Sequence, residues 1–479
     1  MSVPDQLGIF FTTGVLATRL QDFSLLLSYQ EELLNSFLEA GFEPHRCADL
    51  LKQMLEREPS LGELFDLESV KNGGCIASKS LLYDMHQDRS QWALAFFHPE
   101  ADPIMTGASR EQLPEVARLL RESLQGKPWS ALSEALSEPR IIEVTASGGA
   151  EGLKWPRFEG TGIQRLEHAS LLIASEQAKI LIDPVGLAAC GPLGLSNLDQ
   201  SPSNMDVAID AMLITHSHLD HWHIPSIMRY GGDGHVPVIV PRIPFPSLLA
   251  QDDMLQSLKD VGQNALAPAW GETVRIKDIE IDILPFFGEQ PTLDGPLPPE
   301  NVRNWGNCYR IHTPGFSVIV LVDSGTDSLG SVEEVLKQSV ARRGEPDLIL
   351  SCCREMTGAP FWQGLFTFWM VLPVSELQKL VRSRAGKHGP SVTLGPQGIG
   401  NVCVSSKAKA FAPYANGFRG IGLEIEDIGW GDGEPPEAQV LGQIESRIAE
   451  QGGETRVIRW LPGDVLRFDT RRQCAVSKG

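Results

Sequence analysis

One segment constrains this chain more than any other: Ala211-Met-Leu-Ile-Thr-His216-Ser-His218-Leu-Asp220-His221-Trp-His223. An apolar run with strand character passes directly into three histidines and an aspartate within six positions. If extended geometry continues past Thr215, alternation puts His216 and His218 on the same side, about 7 Å apart along the backbone. Two neutral imidazoles in that relation converge on one divalent metal. Asp220 and His221 follow at the turn into the next helix, where adjacent side chains swing toward a second metal. Crowding three imidazoles and a carboxylate at the end of an apolar strand is costly unless their lone pairs are used. The segment therefore reads as a metal site.

The rest of the chain supplies a setting for such a site. The first 140 residues read as helical, with leucines at helical spacing over Gln21 to Ala40 and further patterns at Ala48 to Arg57, Leu61 to Val70 and Glu111 to Leu124. From Ile141 strands alternate with helices, which defines an α/β domain over 141–420. A tail, 421–479, holds one acidic amphipathic helix and a final strand, Arg456 to Phe468, expected to pack on that domain. There is no internal repeat. The predicted division is 1–140, 141–420 and 421–479.

Composition narrows the partners. The 479 residues carry 41 basic and 61 acidic side chains, a formal charge of −20. Polyanions such as nucleic acid or an anionic membrane surface are repelled by such a balance. Asp5 precedes the apolar run Leu7 to Thr18 and no Lys or Arg does, the wrong flank for a signal peptide. The uncharged stretch Gly364 to Val374 is too short to span a bilayer. Eight cysteines without a C-x-x-C are expected to be reduced, packed thiols. The expectation is a cytoplasmic protein with neither nucleic-acid nor membrane partners.

The pattern His216-x-His218-x-Asp220-His221 resembles the H-x-H-x-D-H signature of the metallo-β-lactamase superfamily. Four other stretches agree in order. Leu166-Glu-His168-Ala-Ser, followed by Ile180-Leu-Ile-Asp183-Pro184, is similar to the first strands of the branch with lactonases and N-acyl-phosphatidylethanolamine phospholipases. Trp270-Gly271-Glu272-Thr273 resembles the turn before that branch's third-ligand strand, and Val320-Leu-Val-Asp323-Ser-Gly325 resembles the strand whose aspartate bridges both metals. The resemblance covers about residues 155–400. It implies an αββα (α+β) metallo-β-lactamase fold, a β-sandwich flanked by helices; the helical N-terminal domain lies outside the resemblance, and from the domain order alone it is expected to act as a lid or a dimer interface.

The chain also departs from the hydrolase pattern. Where a histidine is usual after the third-ligand strand it reads Ile283-Leu-Pro-Phe-Phe-Gly288-Glu289-Gln290, with Glu289 in the ligand position. Beyond Asp323 only His388 offers an imidazole, ahead of Ser391 to Leu394; Glu355, water or substrate is the alternative. Glu289, Asp220 and Asp323 together bring three negative charges against two divalent ions. Oxygen-rich sites suit iron or manganese better than zinc, although zinc also accepts a His₂Glu set. A glutamate here resembles the di-iron β-hydroxylase of chloramphenicol biosynthesis, in which a helical domain precedes the metallo-β-lactamase domain. That resemblance implies His216, His218 and Glu289 on one iron, Asp220 and His221 on the other, and Asp323 bridging, with Glu289 and Asp323 as the catalytic pair.

The functional expectation is a non-haem di-iron oxygenase, using O₂ and an external electron donor on a small-molecule or carrier-tethered substrate. No flavin or iron–sulfur fingerprint is present, so a separate reductase is implied. The alternative is a dinuclear metal-dependent hydrolase of an ester, lactone, amide or phosphodiester, with a metal-bridged hydroxide as nucleophile. His168 reads as a residue orienting a ligand, His223 as facing the start of the next helix, and Trp369 as core. Lys379, Arg382, Arg384 and Lys387 form a candidate docking strip that also reads as a solvated helix face.

Overall fold

The computed structural model describes residues 6–12, 29, 32–78, 91–98, 101–142, 158–166, 168–184, 208–218, 220–246, 251, 253–288, 290, 303–355, 368–384, 391–415 and 437–477. Two sheets face each other across the main core. The first runs, edge to edge, Cys474–Ser477, Val465–Phe468, Gly162–Arg165, Leu171–Ala174, Lys179–Ile182, Ala211–Leu213, Val238–Ile239 and Ala265–Leu266. The second runs Thr273–Ile276, Ile279–Pro285, Asn307–His312, Ser317–Val322, Leu348–Ser351, Ala410–Pro413 and Arg456–Val457. In each sheet antiparallel hairpins at one side give way to parallel strands at the other.

Period-two alternation divides the strand residues between two cores. Leu171, Ile173, Ile180, Ile182 and Leu213 face the second sheet and meet Ile281, Ile283, Val318, Val320 and Leu350. Leu172, Ala174, Leu181 and Met212 face outward and are covered by Ile227, Met254 and Leu258 from the helices Ile224–Tyr230 and Met254–Asp260. The second sheet is covered by the helices Val332–Arg343, Gly395–Ser406 and Glu437–Glu450. Strands buried on both faces are near-continuous apolar runs, and the layering is helix, sheet, sheet, helix. This is the metallo-β-lactamase fold that the motif implied.

Three features differ from the sequence expectation. The N-terminal region is helical over Pro44–Arg57 and Leu67–Lys71, but it also contains an antiparallel sheet of Gln6–Thr12, Gln91–His98 and Ala101–Ser109. The apolar run at the N-terminus is thus in part a strand, and Trp92, Leu94 and Phe96 bury one face of its neighbour. The tail's single expected strand is two, because Leu461-Pro462-Gly463 interrupts it. Arg456–Val457 enters one sheet and Val465–Phe468 the other, so the tail completes both sheets instead of packing on them. Ser391 to Leu394 is not a strand; it leads into a helix that starts at Gly395.

The N-terminal region grips the domain at two places. Trp92, Phe96, Leu113 and Leu120 pack with Ile224 and Met228, on the helix that follows the histidine motif. Phe37, Leu51 and Leu61 pack with Trp369, Met370 and Leu377. Trp369 lies edge-on to Phe37 at 6.0 Å, so it is core. No helix among the described residues is long and apolar enough to cross a membrane.

Candidate metal centre

The parallel strands Lys179–Ile182 and Ala211–Leu213 end in register, Ile182 opposite Leu213. Their next residues, Asp183 and the Ile214-Thr215-His216 stretch, therefore emerge at one edge of the sandwich. The second sheet delivers Asp323 to the same edge, immediately after Ser317–Val322. A bulge between Val320 and Val322 re-aims that chain, and Val322 has φ of 51°. His168 and Asp183 also sit at positive φ, 47° and 41°. Left-handed backbone at non-glycine residues is costly, and here it gathers around one set of polar side chains. Between the sheets, Asn307 N donates to Thr215 O at 2.7 Å and the Tyr309 hydroxyl donates to Ile214 O.

The donors form two groups joined at His221. His216, His221 and Asp323 make one, and His168, Asp220 and His221 the other; within each, one ligand atom per residue lies within 4.8 Å of the others. His221 Nε2 is 3.0 Å from Asp323 Oδ2 and 3.7 Å from Asp220 Oδ2, and His216 Nε2 is 3.9 Å from Asp323 Oδ2. His216, His218 and His221 are buried, whereas the Asp220 side chain is 36% exposed. His218 lies outside both groups; its ring centre is 4.4 Å from that of His216 and its Nε2 faces Asn304. Glu289 and His388 lie outside the described residues, and Glu355 is in neither group.

Asp183 organises the motif from beneath. Its Oδ2 accepts from His221 Nδ1 at 2.8 Å and from Thr215 Oγ1 at 2.6 Å, while its Oδ1 accepts from Thr215 N at 2.8 Å. With its own proton given to Asp183, Thr215 Oγ1 accepts from His216 Nδ1 at 3.0 Å. Both rings thus carry hydrogen on Nδ1 and direct Nε2 toward Asp323. Phe286 stacks on His216 at 5.3 Å between ring centres. His168 Nε2 lies 2.8 Å from Asp220 Oδ2 and donates to it. His223 is a helix cap, with Nδ1 accepting from Ser226 N.

Burial holds His216 well below its ordinary value, with His221 and His218 acting in the same direction. Burial also pushes His218 down to about 4, so both are neutral donors at physiological pH. His221 goes the other way. Burial opposes its charge, but the carboxylates of Asp220, Asp183 and Asp323 outweigh burial and hold it well above the usual range. Burial would raise Asp220, yet His221 and the hydrogen bond from His168 keep it well below the usual carboxylate range. Burial drives the Cys352 thiol well up, helped by Asp323, so it is an inert neighbour.

The donor set fits divalent metal. Asp323 Oδ1 is buried and makes no hydrogen bond among the described residues, an arrangement that a coordinated cation relieves. The grouped donors are imidazole nitrogens and carboxylate oxygens without thiolate, the chemistry of iron, manganese and zinc rather than of soft ions. Asp183 is the functional residue that sequence reasoning passed over as part of a strand pattern. Its signal was an acid closing an apolar strand.

Comparison with known proteins agrees with this fold. Residues 162–321 match the family profile described as "Beta-lactamase superfamily domain". The fold and the histidine motif define a metallo-β-lactamase-fold protein. More particularly, the chain superposes on CmlA, a diiron beta-hydroxylase from Streptomyces venezuelae, over 96% of its own length and 98% of that chain. The TM-score is 0.56 at 15% identity. In sequence it is 31% identical over 103 residues to the Transcription termination factor FttA of Methanocaldococcus jannaschii, covering 21% of this chain and 16% of that one. It is 26% identical over 178 residues to the UPF0173 protein PF0020 of Pyrococcus furiosus, 35% of this chain and 71% of that one. The chain thus spans about a sixth of the first relative's length.

Proposed function

We propose that the chain is a dinuclear metalloenzyme and, within that class, a non-haem di-iron oxygenase. Its substrate would be a small, amino-acid-like molecule, free or tethered to a carrier, with electrons from a separate reductase. The observation that carries the reading is the pair of donor groups sharing His221, one closed by Asp323 and the other by Asp220. Support for iron over zinc comes from the carboxylates of the set and from Glu289 in the sequence position of a ligand histidine. The likeness to a diiron beta-hydroxylase extends through the N-terminal region as well as the sandwich, which supports the same choice.

In this reading His216, His218 and Glu289 would hold one ion and Asp220 and His221 the other, with Asp323 available to both and His388 the candidate for the last position. Iron held there would supply O₂ activation. The chain's own part is to direct Nε2 of His216 and His221 into the site, which Thr215 and Asp183 secure by taking the Nδ1 hydrogens; a cation bound there would displace the Nε2 hydrogen of His221. His168 fixes Asp220 by donating to its Oδ2. Phe286 covers His216 and keeps water from that side of the ring. Lys379 pairs with Glu376 at 2.5 Å and Arg382 with Glu43 at 2.6 Å, so these two members of the candidate strip are exposed side chains in ion pairs, as a solvated helix face would have them.

The test is metal analysis of protein purified with iron supplementation, followed by O₂ uptake after chemical reduction. Two irons per chain and O₂ consumption are expected. A zinc-loaded, O₂-inert protein that turns over generic esters or phosphodiesters would replace this reading with the hydrolase.

A further inference from the structure

Asp183 and Thr215 set two of the three motif histidines, but neither touches the third. His218 Nε2 faces a different group, the Asn304 side-chain amide, whose Nδ2 lies 3.1 Å away. Asn304 is itself buried, and its Oδ1 makes no hydrogen bond among the described residues. In that orientation the amide donates to Nε2, which requires the ring hydrogen on Nδ1 and leaves neither nitrogen as a metal donor. Turned over, the amide has the same shape and presents Oδ1 to an Nε2–H. His218 then carries its lone pair on Nδ1. Deepening the metal-site reading on which it rests, we propose that Asn304 is a positioning residue that accepts from His218 Nε2–H and so selects Nδ1 as that histidine's donor.

The local construction supports a purposeful placement. Asn304 belongs to a strap, 303–307, in which each residue is tied down separately. The buried Gln290 side chain brackets Asn304 from both sides, accepting from its N at 2.9 Å and donating to its O at 2.9 Å. Gln251, also buried, does the same to Trp305, at 2.7 Å in each direction. Arg303 donates to Asp327 at 2.6 Å, Gly306 O accepts from the Trp270 indole at 3.0 Å, and Asn307 N donates to Thr215 O. Two buried glutamines thus imitate strand pairing where no strand exists. The same elements hold residue 288: Gly288 N donates to Asp327 Oδ2 at 3.0 Å, and Gln290 Nε2 reaches Gly288 O at 2.8 Å. The strap therefore links His218 to the turn that leads into Glu289.

The tautomer is read directly by long-range ¹H–¹⁵N correlation on chelator-treated, ¹⁵N-histidine protein, with His218 assigned by its absence in His218→Gln. The expected result is hydrogen on Nε2 in the wild type and in Asn304→Asp, whose carboxylate is an obligate acceptor, with loss of that preference in Asn304→Leu. Titration with Mn²⁺ or Fe²⁺ under anaerobic conditions should show one site weakened 10- to 100-fold in Asn304→Leu and restored to near wild type in Asn304→Asp. A wild-type His218 with hydrogen on Nδ1 overturns the proposal even if Asn304→Leu fails to fold. So does an Asn304→Leu protein with unchanged tautomer and affinity. If the wild type binds neither ion yet shows the expected tautomers, the metalloenzyme reading falls and the role of Asn304 stands.

Discussion

Asp183→Asn is the sharpest test of how the centre is organised. The substitution is isosteric, so it leaves packing intact and changes only the hydrogen-bond logic. Asp183 accepts three hydrogen bonds, from Thr215 N, Thr215 Oγ1 and His221 Nδ1. An asparagine has one acceptor oxygen for these two directions. If that oxygen stays on Thr215 N, its NH₂ meets His221 Nδ1, which can then keep no hydrogen and leaves the ring's one hydrogen on Nε2, toward Asp323. If it turns to His221, its NH₂ collides with the Thr215 N–H. Either way one charge-assisted hydrogen bond is lost, about 1.5–3 kcal/mol of stability in the metal-free protein. Metal affinity should fall 10- to 100-fold, about 1.4–2.7 kcal/mol. Denaturant unfolding in chelator gives the first quantity and calorimetric metal titration the second. An Asp183→Asn protein with wild-type affinity and stability would refute the claim that Asp183 sets the tautomers.

Three further outcomes follow from the same contacts. Gly288 has φ of 89°, and a Cβ there would lie 2.2 Å from Val392 O and 2.7 Å from Gly325 N, so Gly288→Ala should cost about 2 kcal/mol or more in chemical denaturation and reduce metal content. Arg343 grips both oxygens of buried Asp282 at 2.6 and 2.8 Å; burial would raise that carboxyl, but the bonds from Arg343 and Thr273 outweigh it and the net shift is downward. A depressed carboxyl stabilises the fold above its unfolded value of about 3.9 and stops doing so as pH falls through the folded value, so the penalty of Arg343→Met, about 2 kcal/mol at pH 7, should shrink below pH 4 in urea melts. Deleting residues 1–142 uncovers Ile224, Met228 and the Trp369–Leu372 segment, each buried aliphatic being worth about 1.5–3 kcal/mol, and should give an insoluble or metal-poor fragment. A soluble fragment 143–479 with full metal content would contradict that coupling.

What the sequence disclosed and what it withheld divide by range. Part of the motif was legible because its chemistry is local: His216, Asp220 and His221 fall within six positions after a strand and lie in the two donor groups, whereas His218, from the same stretch, lies outside both. The sandwich was legible because strands such as Ser317–Val322 are unbroken β-branched and leucine runs. Some misses had signals. Trp92, Leu94 and Phe96 alternate as a strand should, and Pro462-Gly463 marks the turn that splits the tail strand.

Asp183, Asn304 and Gln251 are different. Asp183 meets His221 across 38 positions, Asn304 meets His218 across 86, and Gln251 meets Trp305 across 54, and none of these pairings has a period or a composition. The donors of the motif share one strand-to-helix turn, so their spacing is short and visible in the sequence. The groups that choose a donor's tautomer need only touch its far side, and any element passing there can supply them. Motif reading therefore finds the nitrogens of such a centre and misses what decides which nitrogen is used. At this site that decision rests on an anion beneath two histidines and, in our proposal, on a strapped amide beside the third.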